Sequence, residues 1–151
     1  MILLLSNNND LLRRHISTHS EHSAEDRAAV STLETFLTSG GKINTNFSCD
    51  DKWPNHDGFF EYVSNPDISK IPKQNFIVQI KGTHDFSENN GVISYCLKSL
   101  SFPAFIANEV TADPGILFVV LNPDTRNGKR IFWKIMSKSF LSDIDFEKNS
   151  K

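Results

Sequence analysis

The chain has 151 residues, a length for one domain rather than two. Hydrophobic residues make up 38%, aromatics 11% with twelve Phe, and the formal net charge is -2. That profile fits a globular core. It excludes a protein coated in basic charge for nucleic acid and a disordered acidic tail, so any polyanion contact must come from a local patch. Cys49 and Cys96 cannot supply a disulfide framework or a four-cysteine zinc site; a single bridge stays open, but this usage fits a reducing cytoplasm better. Met1–Leu5 is apolar but has no basic flank and ends at Asn7-Asn8-Asn9-Asp10, too early for a signal peptide. No run approaches the roughly 20 apolar residues of a membrane span. A soluble, cytoplasmic chain with no membrane partner is expected.

Residues 1–22 read as a polar tail or short helix. His15, His19 and His22 would align on a helix face, and a His pair at this spacing can bind zinc, but without accompanying carboxylates or cysteines a solvated face is the expectation. The domain is expected over 23–140. Ser23, with Asp26 three residues on, forms a weak capping box, and Ala24, Ala28, Val30, Leu33, Phe36 and Leu37 recur at helical spacing until Gly40-Gly41. The period then drops to two: Ile43, Thr45 and Phe47 predict a half-buried strand, and residues 57–63 predict the next. A loop holding Pro66 and Pro72 leads to a compact strand at 76–81, and 82–91 read as a polar loop.

Val92–Leu97 predicts a short strand, with Cys96 as a buried small hydrophobe, and Pro103–Val110 a helix. Ile116–Leu121, the most hydrophobic run, predicts a central strand buried on both faces, and Ile131–Met136 a final strand. Residues 141–151 read as a polar tail, consistent with a linker to further domains. The order predicts an α/β fold with a mixed central sheet flanked by helices.

Chemistry concentrates at Asp57 and Gln79-Ile80-Lys81. Residues two apart on a strand share a face, so Gln79 and Lys81 project together while Ile80 faces the core. A hairpin-like return brings Asp57 beside them. A hard divalent cation takes oxygen ligands, here Asp57, the Gln79 amide oxygen and the Ile80 carbonyl. Such a metal lowers the pKa of its bound water and polarises a phosphoryl oxygen, while Lys81 orients that water or stabilises transition-state charge. Phosphodiester hydrolysis is the chemistry that suits this group. The bland alternatives are a turn-initiating Asp before Gly58 and an ordinary solvated strand end.

Asn55-His56-Asp57-Gly58 followed by Val78-Gln79-Ile80-Lys81-Gly82 resembles the PD-(D/E)XK, or restriction-endonuclease-like, nuclease superfamily. The likeness is to its D-G…Q-x-K branch, as in Mrr-type enzymes and N-terminal nuclease domains of bacterial defence proteins, and covers roughly residues 24–137. It implies an αβββαβ core and an endonuclease, dependent on Mg2+ or Mn2+, acting on double-stranded DNA more than RNA. A homodimer, or covalently linked partner domains, would be in keeping with it. Asp57 matches the first acidic position and Lys81 the lysine. Gln79 stands where most members carry Asp or Glu, which removes a charge and keeps open a catalytically inactive module that binds nucleic acid or protein. Pro54 lies three residues before Asp57, so the literal Pro-Asp is absent. Many members add a Glu from the first helix, for which Glu34 is the candidate; Glu61, on the strand face of Asp57, is the alternative. His56 adjoins the motif but faces the other way. Arg130, Lys134 and Lys138 share a strand face with Phe132, which suits either phosphate-backbone contact or a charged, protected edge.

Overall fold

The computed structural model describes residues 24–48, 53–64, 71–108 and 112–146. His15, His19, His22, Ser23 and Cys49, for which the sequence raised expectations, lie outside the described residues. Helix α1 spans Ala24–Thr38 and buries Asp26, Ala29, Val30 and Leu33, one stripe at helical spacing. It stops at Gly41 (φ 66°), whose N–H donates to the Thr38 carbonyl. Three antiparallel strands follow: β1 (Ile43–Phe47), β2 (Gly58–Ser64) and β3 (Ile71–Thr83).

Strand β3 is much longer than the expected 76–81. Pro72 had argued for a loop, but it pairs with Val63 just past a register shift between Tyr62 and Val63. Such an irregularity is where a strand tolerates a missing N–H. At its other end β3 runs on to Thr83, and the expected loop at 82–91 instead holds half of a hairpin, β4 (Ser87–Asn89) with β5 (Val92–Ser94). Helix α2 (Ser101–Ala107) then leads to β6 (Gly115–Leu121), β7 (Arg130–Ile135) and the short helix α3 (Lys138–Ser142).

The five-stranded sheet has the order β1-β2-β3-β6-β7, with β3 and β6 parallel and the other neighbours antiparallel. This is the mixed α/β sheet that the element order predicts. Every residue of β6 is buried, as its unbroken apolar run requires. One face packs Val78, Ile80, Ile116, Phe118 and Val120 against α1, and the other packs Ile77, Leu117, Val119 and Leu121 against Phe102 of α2. Each face therefore holds its own core.

Two expectations need correction. Cys96 is exposed rather than buried, because Ile93, Tyr95 and Leu97 pack inward and a period of two turns Cys96 outward. The domain also extends past residue 140: Leu141 joins the α2-side core, while Ile144 and the buried Phe146 pack with Ala104. No described helix is long and apolar enough to cross a membrane.

Candidate active site

The site arises where β3 outruns β2. The last β2–β3 pair is Gly58 with Val78, yet β3 continues through residues 79–83. Backbone groups alternate in direction along a strand. Ile77 and Thr83 bond toward β6, through Pro114 and Asn122, while the Val78 carbonyl accepts from Asp57 N on the β2 side. Ile80 and Gly82 thus turn their N–H groups to an edge where no strand stands. Two carboxylates meet them: Ile80 N donates to Asp57 Oδ2 at 2.5 Å and Gly82 N to Asp26 Oδ1 at 2.8 Å. At ~3.3 Å per residue these acids stand roughly 7 Å apart along one strand edge.

Asp57 is 2% exposed and Gln79 6%. Continuing the register puts them opposite each other, and Gln79 Nε2 donates to the same Asp57 Oδ2. Gly58 allows this approach: it sits at φ 138°, and a Cβ there would lie 2.2 Å from the Asn46 carbonyl oxygen of β1. Gly82 does the same for the second carboxylate, since a Cβ on it would meet Glu25 O at 2.2 Å. Only a glycine lets the start of α1 lie against β3, and that contact delivers Asp26.

Lys81 Nζ stands 3.5 Å from Asp26 Oδ2, with side chains 24% and 11% exposed. Acidic groups dominate the surroundings. Burial pushes the Tyr95 phenol pKa up, and the carboxylates of Asp26, Asp85 and Glu25 add to it. His84, just beyond the end of β3, contacts Asn122 Oδ1 at 2.9 Å and Asp124 Oδ1 at 2.7 Å; chiefly the Asn122 bond, with help from Asp124, raises its pKa. The β6–β7 turn is thereby tied to the rim of the site.

Of the residues expected from sequence, Asp57, Gln79, Ile80 and Lys81 come together. Glu34 does not join them. It is exposed, accepts from Thr45 Oγ1 at 3.0 Å, and lies eight residues along α1 from Asp26, or about 12 Å. Glu61 pairs with Asn75, about 13 Å along β3 from Gln79. The α1 carboxylate at the site is Asp26. Its position in the capping box was visible in the sequence, but its reach to Gly82 depends on close packing that no local pattern encodes.

The basic strand is also rearranged. Arg130 is held by Glu88 through two bonds, 3.2 and 2.9 Å, and lies over the Phe86 and Phe132 rings. Lys134 Nζ sits 4.6 Å from the Phe140 ring centroid. Lys138 opens α3, so it does not belong to the strand face, and Met136 beside it is buried in the α2-side core.

Comparison with protein-family models, curated proteins and solved structures returns no match. The donors present are two carboxylates, an amide and backbone carbonyls, with no cluster of three or more His, Cys, Asp or Glu among the described residues. An all-oxygen set with few protein ligands fits magnesium or manganese, which keep most of their waters. Gln79 can join it by exchanging its amide O and N, which are nearly identical in shape.

Proposed function

We propose that the chain is a metal-dependent nuclease that hydrolyses phosphodiester bonds. The observation that carries this reading is the convergence of Asp57, Gln79, Lys81 and Asp26 on the unpaired end of β3. The order of α1, three antiparallel strands, α2 and a strand parallel to the third agrees with the αβββαβ core that the resemblance implies. Asp57, the Ile80 carbonyl and the rotated Gln79 amide would hold Mg2+ or Mn2+. The bound metal would supply an acidified water and polarise the phosphoryl oxygens. Lys81, fixed by Asp26 and partly open to solvent, orients a water or stabilises charge building on a phosphoryl oxygen. The acidic rim repels a bare phosphodiester, so a divalent cation is needed for substrate to approach.

One observation favours a second reading, a nuclease-like module that binds without cutting. Asp57 is almost wholly buried, and one of its oxygens accepts from both Gln79 and Ile80. A carboxylate used this way serves to satisfy an open strand edge.

Incubation of the protein with plasmid DNA and with single-stranded RNA, in magnesium, manganese or EDTA, separates the two. The first reading expects cleavage that EDTA abolishes and that Asp57→Asn and Lys81→Ala each lower by roughly 10²-fold or more. Retention of nucleic acid without cleavage in any metal supports the second. Cleavage that survives Asp57→Asn sinks the first.

A further inference from the structure

Beside the carboxylates lies an aromatic group outside the catalytic proposal. Trp53 stacks on His56 with centroids 5.7 Å apart and planes at 14°, and meets Phe59 at 5.9 Å and 60°. His56 in turn stands 5.6 Å from Phe105 of α2. All four rings are half-buried, so the group is closed to neither protein nor solvent. By register the group shares the face of Asp57 and Gln79: Phe59 pairs with Ile77, one same-face step, or about 7 Å, from the Asp57–Gln79 position, and His56, expected from alternation to face the other way, packs on this side too.

His56 has a second peculiarity. Its Nδ1 is buried and has no hydrogen-bond partner among the described residues. A buried polar atom left in this state calls for a partner that the fold itself does not supply.

We infer that the Trp53–His56–Phe59–Phe105 group is a nucleobase subsite, which takes the base of an unpaired nucleotide whose phosphate lies at Asp57 and Lys81. The inference rests on the proposed nuclease reading and narrows its substrate from duplex to single-stranded or locally unpaired nucleic acid. Every base has a stacking face, so the subsite tolerates sequence. A base inside a duplex has its faces covered by its neighbours and cannot enter without leaving the stack.

The test is a binding measurement that does not depend on cleavage. The chain has two tryptophans, so Trp133→Phe leaves Trp53 as the only tryptophan emitter. This protein is titrated in calcium with oligodeoxythymidine, oligouridine, a DNA duplex and an abasic phosphodiester strand of equal length, with strand integrity checked on a gel. Both single strands are expected to quench Trp53 and to bind roughly 5- to 150-fold more tightly than the abasic strand, while the duplex gives no quenching. Fluorescence anisotropy with labelled strands should show Trp53→Ala losing that advantage and Trp53→Phe keeping most of it, with thermal unfolding confirming that both variants fold. Equal affinity for abasic and base-bearing strands overturns the inference, as does a duplex that quenches as strongly as a single strand. Base-dependent binding without cleavage in any metal would remove the nuclease reading and leave the subsite standing; cleavage without base dependence would do the reverse.

Discussion

Replacing Gly82 with alanine tests whether the approach of α1 to β3 builds the site. The new Cβ would lie 2.2 Å from Glu25 O, 2.5 Å from Glu25 C and 3.1 Å from Asp26 N, all backbone atoms that cannot rotate away. To reach ordinary contact at 3.4 Å the start of the helix must retreat by about 1 Å. That stretches the 2.8 Å bond from Gly82 N to Asp26 beyond useful range and loosens Lys81 from its partner. Overpacking costs about 1–3 kcal/mol and a hydrogen bond to a charged group about 1.5–3 kcal/mol. Because retreat relieves the first at the expense of the second, the net loss is about 2–4 kcal/mol. For a chain of this size the unfolding midpoint falls by roughly 5–15 °C. Gly40→Ala is the control, since nothing lies within 4 Å of a Cβ there. Differential scanning calorimetry of the two variants decides the matter. A Gly82→Ala protein melting within about 2 °C of the parent would refute the reasoning.

Asp57→Ala leaves the Ile80 N–H and the Gln79 amide unpaired in a buried place and should cost about 2–5 kcal/mol in urea unfolding. Asp57→Asn, whose single oxygen can occupy the Oδ2 position, should cost about 1–2 kcal/mol, and equal losses would contradict the bonding described. Glu34→Gln should change stability by no more than about 0.5 kcal/mol and leave any cleavage intact, whereas Asp26→Asn should lower cleavage by about 10²-fold. For His56 the folded pKa lies below the usual 6.5, so its neutral form contributes stability that is fully present above pH 6.5 and is lost as pH falls. Urea titrations at successive pH values should show less acid destabilisation in His56→Phe than in the parent. His84 has a raised pKa and acts in the opposite window: its contribution is present below pH 6.5 and is lost as pH rises through the folded value.

Periodicity made most of the architecture legible. The switch from helical spacing to alternation at Gly41 located α1 and β1, and the unbroken apolar run located β6. Asp57 and Gln79 could be paired in advance because both lie near the ends of the strands expected at 57–63 and 76–81 and a hairpin return sets their register. Other features depend on contacts distant in sequence. Glu34 was expected because the resemblance implies a Glu from the first helix, whereas the helix carboxylate at the site is Asp26, placed by its contact with Gly82, fifty-six residues away. Pro72 was a breaker by its local chemistry and a strand residue by virtue of the irregularity facing it. Trp53 lies between the strands expected around Ile43–Phe47 and 57–63, outside any periodic segment, so its stacking on His56 is not encoded in any period.

The two carboxylates along β3 also bear on how the chain assembles. Asp26, Asp57 and the whole of β3 are synthesised before β6, whose parallel pairing must wait for the hairpin and α2 to follow. During that interval β3 presents two edges. The end of one is stopped by Asp57 and Asp26, whose charges oppose the addition of a foreign strand. The other stays bare until Gly115–Leu121 arrives, so the hazard of misassembly falls on one side of one strand.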